Sequence, residues 1–128
     1  MYKKNSTFVA NLLFWLIMRD FQSLCQIRRS YRKYTNQPVE QEKLDYIIRC
    51  ALMSPAGKRM NPWHFVVIKN EEILRQLAGC RTYGSGMFDT AMAGIVVAAD
   101  TSVIDTWQCD AAIAAQNIWL AAADQGLG

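Results

Sequence analysis

Residues 27–36 read IRRSYRKYTN, and within them four cations and a hydroxyl (Arg28, Arg29, Ser30, Arg32 and Lys33) crowd into six positions. Arginine's planar fork donates paired, charge-assisted hydrogen bonds to the oxygens of a phosphate or carboxylate. Arg28 and Arg32, four apart, share a face if a helix continues through them, and Ser30 adds a short hydroxyl donor. Such a group could hold one phosphate. Two plainer readings stand beside it. Cations at a helix C-terminus are favoured by the dipole and then merely solvated. A basic run interleaved with Tyr31 and Tyr34 also suits nucleic acid or an anionic membrane surface.

The charge balance narrows these choices. Residues 1–60 carry 11 Lys/Arg against 4 Asp/Glu, a net of +7, while residues 61–128 carry 3 against 7, a net of −4. The basic excess is local, and the acidic second half argues against an extended nucleic-acid surface. With 128 residues, 52% hydrophobic and 20% charged, the chain is one packed domain rather than a disordered segment. Cys25, Cys50, Cys80 and Cys109 lie far apart without a C-x-x-C pair, and His64 is the sole histidine. Short-spaced zinc or iron–sulfur ligands are therefore missing, and no metal is expected. The cysteines read as reduced, mostly buried thiols of a cytoplasmic protein. His64, between Trp63 and Phe65, reads as a structural or edge residue rather than a proton donor, and Trp63 as packing.

The elements that must position these residues follow from periodicity. Residues 1–18, MYKKNSTFVANLLFWLIM, stand apart as an apolar segment of open status. The run from Phe8 to Met18 is shorter than the roughly 20 residues that span a bilayer, and no small-residue cleavage site follows it. It reads as a membrane-associating segment, as an extra helix, or, preferred here, as sequence upstream of a start at Met18. The organised domain, residues 19–128, begins with a helix from Phe21 to Arg29 and an extended stretch from Tyr34 to Val39, where Pro38 disfavours helix. EQEKLDYIIRCALM places Leu44, Ile47, Ile48, Ala51 and Leu52 on one helical face, with Glu40 and Glu42 in its first turn. WHFVVIKN and GIVVAAD read as buried strands, EEILRQLA as a short helix and RTYGSGMF as a loop. DAAIAAQNIWLAAADQ is a helix apolar nearly all round, which must find neighbours on most sides.

Taken in order, RRSYRKYTNQPV, a helix, SPAGKRMNPWHFVVI and DAAIAAQNIWLAAADQGLG resemble the nitroreductase family of FMN-dependent oxidoreductases, from about Phe21 to the end of the chain. The resemblance implies an α+β fold: part of a three-layer α/β/α architecture, its central sheet backed by a long buried helix at a homodimer interface. It implies that Arg28, Arg29, Ser30 and Arg32 contact the phosphate and ribityl end of FMN. Pro55, Ala56 and Gly57 match a turn that lies against the flavin from the second subunit. Arg59 stands where the family has asparagine, and Asn61 where it has glutamine. Asn61 keeps an amide able to reach the flavin. Arg59 cannot accept a hydrogen bond, so it either points elsewhere or meets an anionic group.

The implied activity is reduction of nitroaromatic, quinone or similar electron-poor acceptors at the expense of NADH or NADPH, by a ping-pong mechanism. The implied setting is a cytoplasmic homodimer with a small-molecule acceptor and without nucleic acid. The rival readings are a flavin-free fragment or paralogue of the same fold, and a basic membrane or nucleic-acid module, membrane-associated through residues 8–18. In the family, sequence after the glycine turn supplies further flavin contacts, so the chain reads as cut after Gly128. The 128-residue chain is accordingly expected to bind FMN weakly. A submicromolar dissociation constant, measured by flavin fluorescence quenching on this chain, would overturn that expectation.

Overall fold

In the computed structural model, residues 20–128 are described, so the apolar segment 1–18 and its three readings lie outside the described residues. Helix α1 spans Phe21–Ile27. Its start is set by Asp20, whose carboxylate accepts from the Ser23 N–H at 2.9 Å and the Ser23 hydroxyl at 2.8 Å. Its end comes at Arg28, so no helix carries Arg28 and Arg32 onto one face. From there to Glu40 the chain runs without regular secondary structure.

Helix α2 follows over Gln41–Leu52, strand β1 over Trp63–Ile68, helix α3 over Glu71–Ala78, strand β2 over Gly94–Ala99 and helix α4 over Trp107–Asp124. Short 3-10 turns at Gly57–Arg59 and Gly86–Asp89 lie between them. The two strands pair antiparallel, Trp63 opposite Ala99 and Ile68 opposite Gly94. Successive residues of β2 point to opposite faces of this sheet. A Cβ on Gly94 would meet Leu74 of α3 and Phe88, both at 3.1 Å. Ile95 instead packs against Ile47, Ala121 and Ala122, where α2 and α4 meet. One face of the sheet thus carries α3 and the other carries α4 and α2, the α/β/α layering the sequence implied.

Long-range polar contacts fix α2 and α4 in place. The Trp63 indole N–H donates to the Ala51 carbonyl at 3.4 Å, tying the start of β1 to the end of α2. The Asn117 amide of α4 donates to the buried Ser54 hydroxyl at 2.8 Å. The Tyr46 hydroxyl of α2 donates to Asp124 Oδ2 at 2.9 Å, near the end of α4.

Several burial expectations are corrected. Leu52, placed on the buried face of α2, is 62% exposed, because it lies about 100° around the helix from the fully buried Ala51, off the stripe of Leu44, Ile47 and Ala51 that is buried. Strand β1 was expected to be buried, yet Val66 is 51% exposed. A sheet of two strands is too narrow to cover both faces of each. Helix α4 begins three residues before the expected Asp110, and it leaves Ile113 and Trp119 exposed while Asp110, Ala114, Ala121, Ala122 and Ala123 are buried. Its neighbours in this chain line only part of its circumference. The four cysteines are free as expected but not mostly buried: Cys25, Cys80 and Cys109 are exposed, and only Cys50 is half-buried.

The Tyr46–Asp124 bond makes stability depend on alkaline pH. Donation to the Asp124 carboxylate, followed by burial, raises the Tyr46 phenol from 10.0 to about 12. A folded pKa above the unfolded one favours the fold fully below pH 10, and that contribution is lost as pH rises toward 12. Tyr46→Phe should cost about 1 kcal/mol at neutral pH, the net worth of an ordinary hydrogen bond. It should also flatten the fall in melting temperature between pH 10 and 12, followed by circular dichroism. Parallel pH profiles for the two proteins would disprove the assignment.

Candidate functional site

A cavity of about 630 Å³ opens between the irregular segment after α1, the 86–89 turn, the start of β2 and the C-terminal end of α4. Its volume lies in the range of small-molecule sites. Arg28, Arg29 and Lys33 contribute cations to its wall, no Asp or Glu among the described residues lines it, and Phe88, Ile95 and Ile118 give it an apolar side. The cation-bearing segment is pinned by the Tyr34 N–H, which donates to the Thr90 hydroxyl at 3.1 Å. Burial of Tyr34 there raises its phenol above the usual value. At the far end, Gly128 comes so close to the Tyr31 ring that a Cβ would lie 2.5 Å from it.

The clustered cations take different partners. Arg29 donates to the carbonyls of Gln26 and Arg28, closing the open end of α1, so for this residue the helix-end reading holds. Arg32 donates to the Ser30 carbonyl at 3.1 Å. Arg28 does neither. Its guanidinium carbon stands 4.1 Å from the centroid of the Trp119 ring, and its Nη1 is the buried side-chain nitrogen without a hydrogen-bond partner among the described residues. A cation over an indole face is favourable by roughly 0.5–2 kcal/mol, but an unpaired buried donor costs about 1–3 kcal/mol. Such a donor fits an anionic oxygen. Ser30 and Arg32 are exposed and stay off the cavity wall, although both are adjacent to it in sequence.

The second group of candidates, Pro55, Ala56, Gly57, Arg59 and Asn61, does not line this cavity. It forms a turn over the start of α4. The Gly57 N–H donates to Asp110 Oδ1 at 3.0 Å, and Asp110 Oδ2 accepts from the Thr106 hydroxyl at 3.4 Å. Asp110 is buried yet lies in the first turn of α4, where the helix dipole favours its charge. Glycine is required at 57 by space: a Cβ would lie 2.6 Å from Thr106 Oγ1 and 2.8 Å from Ile104 Cδ1. Beyond it, Lys58, Arg59 and Asn61 adopt φ of 51°, 59° and 48°. Left-handed backbone costs a non-glycine residue on the order of 1 kcal/mol, least for asparagine. Arg59 is exposed, with no ion pair among the described residues, so within this chain it points to solvent.

Sequence reasoning did not find Trp119, which it took for packing, or Asp110, although an acid opening an alanine-rich helix was a visible signal. His64 is exposed on β1 and approaches Asp100, in keeping with an edge position. Among the described residues no cluster could hold a metal ion, and no helix is long and apolar enough to cross a membrane.

Comparison with known proteins places these features in a wider group. Residues 26–80 match the model of the Nitroreductase family. A protein of Methanothermobacter thermautotrophicus named "Putative NADH dehydrogenase/NAD(P)H nitroreductase" is 38% identical over 112 residues, which cover 85% of this chain and 58% of that protein. A protein of the same name from Archaeoglobus fulgidus is 33% identical, covering 87% of this chain and 66% of its own length. An FMN-dependent nitroreductase from Clostridium difficile R20291 has a similar structure, with a TM-score of 0.80 and 42% identity, covering 82% of this chain and 61% of that one. The chain thus spans roughly three-fifths of the length of such relatives.

The Asp110 anchor yields a test of how the second group is held. Asp110→Ala strands the Gly57 N–H and should cost about 1–3 kcal/mol in urea unfolding. It should also speed tryptic cleavage after Lys58 or Arg59 in the native protein. Asp110→Asn, which keeps an acceptor, should do markedly less of both. Unchanged cleavage in Asp110→Ala would mean that the turn is held by something else.

Proposed function

Because the chain belongs to the nitroreductase family, we propose that its protein is an FMN-dependent oxidoreductase. It takes hydride from NADH or NADPH and reduces a nitroaromatic, quinone or similar electron-poor acceptor. Donor and acceptor use the site in turn, in a ping-pong cycle. The observation that carries this reading is Arg28, whose buried, unpaired Nη1 sits in the wall of a cavity lined by cations and, among the described residues, by no Asp or Glu. A phosphate monoester supplies the acceptor oxygens that this nitrogen lacks.

In this reading Arg28 holds the phosphate, with Arg29 and Lys33 adding positive potential and Ser30 and Arg32 turning toward it from their exposed positions. The apolar wall at Phe88, Ile95 and Ile118 keeps water away. When bound, the flavin supplies the hydride and electron transfer that no side chain here provides. Pro55, Ala56, Gly57 and Asn61 stand apart from the cavity within one chain, which supports a homodimer in which they reach the cofactor of the other subunit. Ile113, exposed on α4, supports the same arrangement. Arg59 then faces an anionic group of cofactor or acceptor. Four free cysteines suit the reducing cytoplasm.

The nucleic-acid reading is disfavoured, because the acidic excess of residues 61–128 leaves no extended basic surface. The test is the visible spectrum of the protein expressed from its complete reading frame and purified without added cofactor. It should be yellow and bleach on addition of NADH or NADPH. Arg28→Ala/Arg32→Ala should weaken flavin retention by about tenfold or more, as expected for losing charge-assisted bonds, and leave oligonucleotide binding unchanged. A preparation that stays colourless with added FMN would overturn the proposal.

A further inference from the structure

We propose that Trp119 is a positioning residue for the cofactor's phosphate: its indole face holds the Arg28 guanidinium so that Nη1 stays available to an anionic oxygen. The inference rests on the flavin reading above and assigns a task to a residue that nothing else in the site explains.

Arg28 is exceptional among its neighbours. Arg29 and Arg32 are both held by backbone carbonyls, whereas no hydrogen bond or ion pair to the Arg28 side chain is seen. Its backbone is fixed, since the Arg28 N–H donates to the Leu24 carbonyl at 3.0 Å and closes α1. Beyond the backbone a long, rotatable side chain remains, and the 4.1 Å contact with Trp119 is what orders its far end. A contact with the ring face uses none of the N–H donors for a hydrogen bond, whereas a carboxylate partner would take them. A carboxylate would also cancel the charge that an anion must find.

The ring itself is firmly placed. Trp119 lies on α4 just before Ala121, Ala122 and Ala123, which are buried against α2 and the sheet. A rigid helix thus sets the height of the indole, and the indole sets the guanidinium. Both residues line the cavity. Ordering the arginine before the anion arrives removes an entropic cost that binding would otherwise bear.

The test compares FMN with riboflavin, which lacks the phosphate, in the protein expressed from its complete reading frame, by calorimetry. The wild type should bind FMN more tightly than riboflavin. Trp119→Leu should weaken FMN by about fivefold, the equivalent of losing a cation–π contact at a partly exposed site. Riboflavin affinity should be unchanged within about twofold. Trp119→Phe, which keeps a ring face and guards against misfolding of the leucine variant, should retain most of the preference for FMN. In the Arg28→Ala background Trp119→Leu should have no further effect, because the ring acts through the arginine. Equal weakening of FMN and riboflavin would overturn the proposal in favour of simple packing. Unchanged FMN affinity in Trp119→Leu would overturn it while leaving the flavin reading intact. A wild type indifferent to the phosphate would overturn both.

Discussion

The close seating of α2 on the C-terminal half of α4 is the contact on which the rest of the molecule depends. Ile47 from α2 meets Ala121 and Ala122, with Ile95 of the sheet closing the cluster and Tyr46, Cys50, Ile118 and Leu127 around it. Alanine on α4 lets the helices approach closely. Interiors packed at this density transmit small volume changes directly to their neighbours. The bonds from Asn117 to Ser54 and from Tyr46 to Asp124 secure the same pair of helices at two points, and the Trp63–Ala51 bond ties β1 to them. The sheet, the turn at 54–61 and the cavity wall are all referenced to this seat.

Helix α4 then acts as a ruler. Near its N-terminus Asp110 holds the Gly57 turn, and further along Trp119 holds Arg28. Past its C-terminus Gly126, Leu127 and Gly128 return to the cavity. The two groups of candidate residues are therefore separated by distances that one straight helix sets. Loops carry the chemistry-bearing side chains, and the helix carries their alignment, the division expected when a rigid scaffold presents a site.

Much of this was legible in the sequence, for identifiable reasons. The 3.6-residue spacing of Leu44, Ile47 and Ala51 marked α2, and the apolar runs at 63–68 and 94–99 marked the strands. What the sequence could not show was tertiary. Periodicity puts Leu52 at the margin of the apolar face but cannot tell how wide a stripe the neighbouring elements cover. An apolar strand reads as buried whether or not neighbouring strands cover it, so the exposure of Val66 was hidden. Four cations in six positions look alike. Only the fold reveals that two are turned onto carbonyls, while Arg28 finds a tryptophan more than ninety positions away (28 against 119) and keeps a donor free.

The same long reach has a consequence for how the chain is made. Tyr46 and Asp124 are 78 residues apart, and among the described residues the apolar face of α2 lies on α4 and the sheet. At synthesis rates of about 5–20 residues per second, α2 leaves the ribosome roughly 4–16 seconds before its partner surface exists. Strand β1 likewise waits through α3 and the glycine-rich loop before β2 can pair with it. The nascent chain must carry Leu44 and Ile47 uncovered throughout that interval. Such a protein folds late rather than progressively, and its yield in the cell is governed by what shields those residues until α4 arrives.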